Sequence, residues 1–347
     1  MEQYVQPKIH DDFIQTTETE RDSIRDQVNS LFPEKNITFN SVWGIPKFKK
    51  VFVKAQYNKC AYCEEKLTTH PDVEHFFPKG LVKKLHSTGY EVTDMVNMRG
   101  QQGSIIACNG FWWLAYNWYN YLLSCSICNR QWKVNFFEFK PNRDSALLVN
   151  NKSFVRRRKK YIPQLLHPFK GPTPYKHLKY NKYGFISARN KSILGINSIN
   201  VYGLHRATLT DSREEKMANI YNAVLKYITA IQHGDDLGIQ KSVVTLFKLG
   251  HKSRPFSSIV KSVLFDQVEL SWESFMKINK NTFEIVNIEL DTIVETKRYV
   301  QYLQSGTVLE IADQAQKIKQ MGAPTMPHFS LVQFFFTDVS NESWATL

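Results

Sequence analysis

The chain has 347 residues, of which 42% are hydrophobic and 22% charged, as in an ordinary globular protein. This length predicts two domains, or one domain with a large elaboration, and a core that needs no disulfide bonds. The formal net charge of +13 favours a polyanionic partner, nucleic acid ahead of an anionic membrane surface, although a basic protein without such a partner also fits. No apolar run approaches the roughly 18 residues of a membrane span and the N-terminus lacks signal-peptide blocks, so we expect a cytoplasmic protein with no membrane partner.

Residues 1–55 predict a helical lead-in. The stretch "TETERDSIRDQVNSLF" repeats apolar residues at helical spacing, and "KFKKVFVKAQYN" predicts a second, basic helix that runs into the first cysteine. Residues 56–150 contain all the cysteines and most of the tryptophans, and we treat them as one unit. The basic run "FVRRRKKY" and the proline-bearing segment after it predict the boundary that follows.

The second half of the chain predicts mainly helices. Within an extension at 151–270, "HLKYNKYGFISA" is the clearest strand signal. Ser212 and Glu215 have capping-box spacing at the start of a helix whose apolar face includes Met217, Ile220 and Val224. Residues 271–347 predict a C-terminal helical region, for which we assign no role.

Four of the five cysteines form two C-x-x-C pairs. They are Cys60 and Cys63 in "CAYC", and Cys125 and Cys128 in "CSIC", with 61 residues between the pairs. Four thiolates match tetrahedral zinc in number and softness, whereas a redox motif normally has a single pair. We therefore expect a structural zinc that joins the two ends of the intervening segment, and we expect Cys108 to be a small buried hydrophobe.

The segment between the pairs contains "DVEHFFPKG", in which Glu74 and His75 are adjacent. In an alternating strand these side chains point to opposite faces, except at a strand end, which Pro78 suggests here. An isolated acid–histidine pair is more often an exposed strand end than a site. A second polar set, Asn120 and Asn129, accompanies the second cysteine pair and favours a site instead.

The motifs in combination resemble a known family. C-x-x-C, then E-H-F-x-P-K, then W-x-N-x-L-x-S-C-x-x-C-N-x-x-x-K is similar to the zinc-bearing HNH endonucleases of the ββα-metal (His-Me finger) class. The pattern resembles in particular the HNH nuclease component of Septu and related retron-associated anti-phage systems. Similarity continues through "PQLLHP", "INVYGLHRATLTDSR" and "RPFSSIV", so that it covers about residues 40–265. The fold class that this implies is α+β and mostly helical, with a ββα module clamped by four cysteines and helical flanking and C-terminal regions.

The resemblance also implies roles for individual residues. His75 is the general base of phosphodiester hydrolysis, and Asn120 orients it. Glu74 and Asn129 are ligands of a catalytic Mg²⁺ or Mn²⁺, a hard ion suited to oxygen ligands. The expected DNA contacts are basic side chains: Lys133, Lys79, Arg130, Arg156, Arg157 and Arg158. Ordinary solvated surface charge is as good an interpretation for Lys79 and Arg130.

The family implies DNA as the substrate and an ATPase of the AAA or ABC type as a partner protein. The sequence departs from the family pattern at Phe77, Phe137 and His205, of which we interpret His205 as structural. The aromatic run at 111–123 predicts a core more than a base-stacking platform. The alternative function is a zinc-stabilised nucleic-acid-binding protein without nuclease activity.

Overall fold

The computed structural model describes residues 1–31, 37–67, 71–85, 103–107, 110–141, 161–284, 286–287 and 290. The chain divides into two compact units, Met1–Val286 and Asn287–Leu347, and the elements given below belong to the first. The predicted division after residues 55, 150 and 270 stays a prediction. Cys108, Arg156, Arg157 and Arg158 lie outside the described residues.

Helices dominate the described part of the chain, as predicted. They are α1 (Asp11–Thr16), α2 (Glu18–Leu31), α3 (Pro46–Ala55), α4 (Ile193–Tyr202), α5 (Ala207–His233), α6 (Asp236–Gly250), α7 (Ser257–Val268) and α8 (Trp272–Ile278). Helix α3 begins with proline, which suits the first helical position, and buries Phe48 and Phe52 four residues apart on one face. None of the described helices is both long enough and apolar enough to cross a membrane.

Helix α5 starts earlier than the capping-box spacing predicts. Its N-cap is Arg206, and the Ser212 hydroxyl lies inside the helix, where it donates to the Thr208 carbonyl at 3.0 Å. A serine within a helix commonly bonds back to the preceding turn in this way, so its position alone does not identify a helix start. The predicted apolar face is present, because Met217 and Val224 are each 1% exposed.

Within the described residues, the strands form four small antiparallel sheets, each with two strands. The strands are β1 (Asp72–His75), β2 (Val82–Leu85), β3 (Gly103–Ala107), β4 (Tyr121–Ser124), β5 (Phe139–Pro141), β6 (Tyr161–Pro163), β7 (Leu178–Tyr180) and β8 (Ile186–Ala188). They pair as β1 with β4, β2 with β3, β5 with β6, and β7 with β8. The predicted "HLKYNKYGFISA" strand is thus a hairpin, β7–β8, and the protein combines helices with small sheets.

The β1–β4 sheet is followed directly by a π-helix, Ile127–Lys133. In the sheet, Glu74 is opposite Leu122 and His75 is opposite Tyr121. The π-helix is a rare geometry that recurs at functional sites, and here the Val134 N–H donates to the Asn129 carbonyl five residues earlier. Two strands and one helix therefore bring the polar residues of the sequence motifs into one region.

Aromatic side chains form the core beneath this sheet. Trp118 is 2% exposed and packs against Phe13, Phe48 and Phe52, with ring centroids 4.9, 6.2 and 4.6 Å away. The aromatic run at 111–123 is therefore largely core, as predicted. Tyr119 differs, because it is 40% exposed.

Helix α4 ends against the π-helix at a glycine. Gly203 caps α4 with a left-handed φ of 62°, a conformation that glycine adopts without a steric penalty. A Cβ on Gly203 would approach the ring of Trp132 closer than 3.0 Å. The absence of a side chain at residue 203 thus allows the π-helix to pack directly on the end of α4.

A buried ionic network links the first cysteine pair to α7. The amino group of Met1 lies 2.5 Å from the Glu64 carboxylate, and the Lys59 ammonium lies 3.6 Å from the same group. Lys261 of α7 pairs with Glu2 at 2.6 Å. All five groups are at most 10% exposed, so each charge needs its partner to remain ionised inside the protein.

Candidate metal centre and adjoining cleft

The four paired cysteines lie together at the edge of the β1–β4 sheet. Cys60 and Cys63 form a tight turn after α3, in which the Glu64 N–H donates to the Cys60 carbonyl at 3.1 Å. Cys125 follows β4, and Cys128 lies in the first turn of the π-helix. The Ala61 N–H donates to the Leu123 carbonyl at 2.9 Å, and this bond holds the first pair beside the second.

The geometry of the four sulfur atoms fits zinc. All four lie within 4.8 Å of one another, and the Sγ atoms of Cys63 and Cys125 are 3.9 Å apart. Zinc–sulfur bonds of about 2.3 Å in a tetrahedron place sulfurs ~3.8 Å apart. The cluster could therefore hold a metal ion such as zinc, and the spacing of the two pairs predicts this arrangement.

Neighbouring groups complement the charge of such a cluster. Four thiolates around a divalent ion leave a net charge of about −2, which N–H donors offset. Arg206 donates to the Cys128 Sγ at 3.5 Å and pairs with Glu65 at 3.3 Å. Burial and the adjacent Cys63 raise the pKa of Glu65 to about 7, while Arg206 opposes that rise. Arg206 is also the N-cap of α5, so the cluster and that helix share one buried side chain.

Glu74 lies inside the protein near the end of β1. Its carboxylate is paired with the Lys133 ammonium and lies 3.5 Å from the Tyr62 hydroxyl. Burial raises the pKa of Glu74, and the Lys133 ammonium opposes this shift. Lys133 also donates to the His75 carbonyl at 2.9 Å.

His75 points to the other side of the strand. Its Nε2 lies 2.9 Å from the Ala115 carbonyl, and the Trp43 ring packs edge-on against the imidazole at 4.6 Å. Burial, with the nearby Lys79 ammonium, holds the pKa of His75 well below 6.5, so the ring is neutral at pH 7. A carbonyl can only accept, so Nε2 carries the proton and Nδ1 keeps the lone pair.

Asn120 acts on the backbone around His75 and not on its ring. The Asn120 Oδ1 accepts from the Phe77 N–H at 2.8 Å, and its amide donates to the Phe77 and Leu114 carbonyls at 3.0 and 3.1 Å. Residue 77 follows β1, and residue 114 precedes the carbonyl that holds His75. Asn120 thus connects the two segments that orient the imidazole.

Asn129 contacts Asp72 at the start of β1. The Asn129 amide donates to the Asp72 Oδ2 at 3.2 Å, and Arg130 binds both oxygens of the same carboxylate at 2.8 and 2.5 Å. Asn129 lines a cleft of about 600 Å³ together with Glu74, His75 and Lys79. The cleft is therefore lined by residues of β1, of the segment after it and of the π-helix.

The three predicted DNA contacts within the described residues differ in their exposure and their partners. Lys133 is 1% exposed, so it does not lie on the surface as a phosphate contact requires. Helical spacing correctly places it on the same face as Asn129, but that face packs onto β1. The Lys79 ammonium lies 4.5 Å above the Trp43 ring and lines the cleft. Arg130 is 71% exposed while it pairs with Asp72.

Three groups that contact the cleft residues Asn129 and His75 have no role assigned from the sequence. Asp72 is two residues before Glu74, and this alternate spacing indicates the same strand face. The Ala115 carbonyl and Trp43 have no comparable signal, because a backbone acceptor and a lone distant tryptophan carry no motif.

Together, the fold and these sites define a protein of helices and small sheets, built around a four-cysteine cluster with a cleft of acid, histidine and amide side chains beside it. No family model and no solved structure matches the chain. A Septu protein PtuB from Bacillus mycoides (strain KBAB4) is 30% identical over 239 residues, which are 62% of this chain and 73% of the relative. A second, from Bacillus thuringiensis, is 38% identical over 74 residues, which are 20% of this chain and 25% of that protein. The chain belongs to the Septu PtuB family, so the Septu relation inferred from the motifs is confirmed, while the HNH nuclease identity stays a prediction.

Proposed function

We propose that this protein is a metal-dependent HNH endonuclease that hydrolyses DNA phosphodiester bonds in anti-phage defence, together with a partner ATPase. The observation that carries the proposal is the cleft that Glu74 and His75 of β1 line together with Asn129 of the π-helix. The order of strand, strand and helix beside four cysteines is the arrangement that the HNH resemblance implies. Membership of the PtuB family supports the defence role.

His75 has the properties of a general base. In the neutral ring, the Ala115 carbonyl holds the Nε2 proton, and Nδ1 is left to accept a proton from an attacking water. Asn120 keeps the segments on both sides of the imidazole in place. The edge of Trp43 restricts rotation of the ring and excludes water from that side.

Glu74 and Asn129 offer oxygen atoms for a divalent ion. A carboxylate and an amide carbonyl suit Mg²⁺ or Mn²⁺, which keep several other positions for water and phosphate oxygens. Such an ion, when bound, stabilises negative charge on the phosphate and the leaving oxygen. Asp72 accepts from the Asn129 amide nitrogen, and this bond fixes the rotamer that directs the amide oxygen.

The charge distribution supports a nucleic-acid substrate. The net charge is +13, and Lys47, Lys50 and Lys54 are exposed on α3, opposite its two buried phenylalanines. Helix α3 packs on β4 and follows the turn that contains Trp43, so this lysine face lies on elements adjacent to the cleft. A DNA backbone bound there is stabilised by release of its counterions.

The test is cleavage of supercoiled plasmid in Mg²⁺ or Mn²⁺ by wild type, His75→Ala and His75→Gln. We expect both variants to lose about 10²–10⁴-fold in rate because the general base is gone, with zinc content and circular dichroism unchanged. His233→Ala, which alters an exposed histidine on α5, should cleave like wild type. Equal cleavage by all four proteins would show that His75 is not the base.

A second arm separates the catalytic ion from zinc. Asn129→Ala removes a neutral ligand, so we expect a strong loss of activity that higher Mg²⁺ or Mn²⁺ partly restores, with wild-type zinc content. Loss of zinc, or undiminished cleavage, contradicts the assignment of Asn129. Assays with and without a candidate ATPase test the predicted partner.

The competing function is nucleic-acid binding without cleavage. The observation that favours it is the Glu74 carboxylate, which is ion-paired with Lys133 as in a purely structural site. In that case wild-type protein binds DNA and cleaves none of it in any divalent metal, alone or with the ATPase.

A further inference from the structure

Lys133 is enclosed at the junction of β1 and the π-helix. Its ammonium pairs with the Glu74 carboxylate and donates to the His75 carbonyl at 2.9 Å. The Lys133 side chain is 1% exposed and that of Glu74 is 6% exposed. The Lys133 ammonium therefore connects the Glu74 side chain to the His75 backbone, out of contact with solvent.

We propose that Lys133 is a positioning residue of the cleft, which fixes Glu74 and the end of β1, and that it does not contact DNA. This inference rests on the proposed nuclease function. Glu74 and His75 leave the strand in different directions, towards the π-helix and towards Ala115. A tether from one ammonium to both residues sets the angle between the carboxylate and the imidazole.

A second contact places the π-helix on the same strand. Asn129 meets Asp72, and Lys133 meets Glu74, two residues further along β1 on the same face. The helix and the strand are thus joined at two points about one helical turn apart. Because Asn129 and Glu74 belong to different elements, the Lys133 tether helps to define the distance between them.

The charge of Lys133 makes a distinct prediction for the metal. An ammonium paired with Glu74 repels any divalent ion that approaches the same carboxylate. Its removal should strengthen binding of the ion, while the released Glu74 and β1 end no longer hold the reactive geometry. A phosphate contact predicts a different result, which is weaker DNA binding with a shallower salt dependence and no direct effect on the metal.

The experiment compares wild type with Lys133→Met, which removes the charge at nearly constant side-chain length. Mn²⁺ affinity is measured by electron paramagnetic resonance, turnover by single-turnover cleavage, and DNA affinity as a function of salt. We expect Lys133→Met to bind Mn²⁺ severalfold more tightly, to turn over about ten- to hundredfold more slowly, and to keep the wild-type salt slope. Lys226→Met, at an exposed lysine of α5, is the matched control and should leave all three values unchanged.

The outcomes separate the two proposals. A salt slope shallower by about one with unchanged Mn²⁺ affinity shows a phosphate contact and overturns the inference. Wild-type protein that neither cleaves DNA nor binds Mn²⁺ overturns the proposed nuclease, and with it the role of Lys133 in positioning a metal ligand. If the Lys133→Met protein loses zinc, the Lys133→Arg variant is tested in its place. This variant keeps the charge in a larger group, so we expect wild-type Mn²⁺ affinity with reduced turnover, and wild-type turnover contradicts the inference.

Discussion

Replacement of Gly203 by alanine tests how the π-helix is held. Gly203 has a φ of 62°, and a Cβ there would approach the Trp132 ring closer than 3.0 Å. Left-handed backbone costs an alanine about 1–2 kcal/mol. The displaced ring adds roughly 1–3 kcal/mol, which is typical of overpacking in a dense core. The expected loss of unfolding free energy is therefore about 2–5 kcal/mol.

Gly234 provides the matched control. It caps α5 with a φ of 65°, and a Cβ at that position meets nothing within 4 Å. Gly234→Ala should therefore lose only the backbone part, about 1–2 kcal/mol. Urea unfolding followed by tryptophan fluorescence, in excess zinc, measures both variants. Equal losses in the two variants would refute the argument that contact between Trp132 and Gly203 positions the π-helix.

Two further predictions concern the metal and the pH. Purified protein should contain one zinc per chain. Chelation or Cys125→Ser should lower the melting temperature sharply, because structural zinc contributes directly to folding. Purified protein without zinc contradicts the four-cysteine site. Burial, with Lys170 nearby, lowers the pKa of His167 to about 3, while the unfolded chain takes up this proton near pH 6.5. The free energy of unfolding should therefore fall as the pH falls from about 6.5 towards 3, and the fall should be smaller in His167→Asn than in wild type. An equal fall in the two proteins contradicts this assignment.

The sequence predicts the chemistry of the sites better than their packing. The number and type of the cysteines indicate a four-sulfur cluster, and the structure brings these sulfurs together. Pro78 correctly predicts that the acid–histidine pair lies at a strand end, since β1 ends at His75. Helical spacing identifies the face of Lys133 but not the strand beneath that face, so its burial against Glu74 was unforeseen.

Asn120 shows a related limit. Its place in the motif predicts that Asn120 orients His75, and its side-chain hydrogen bonds reach backbone atoms of the adjoining loops and not the ring. Such indirect support depends on tertiary contacts between residues 77 and 114, which no local pattern encodes. The roles of these residues in catalysis stay predictions.

A metal at the four cysteines closes a covalent and coordinate ring that starts at Cys63 and ends at Cys125. The ring contains 61 intervening residues and includes both β1 and β4. The entropy lost on closing a flexible loop grows only with the logarithm of its length, and a doubling costs about 0.6 kcal/mol. Because β1 and β4 both lie within this ring, a bound metal also limits how far the two strands can separate in the unfolded chain, and this stabilisation depends only weakly on the number of residues between them.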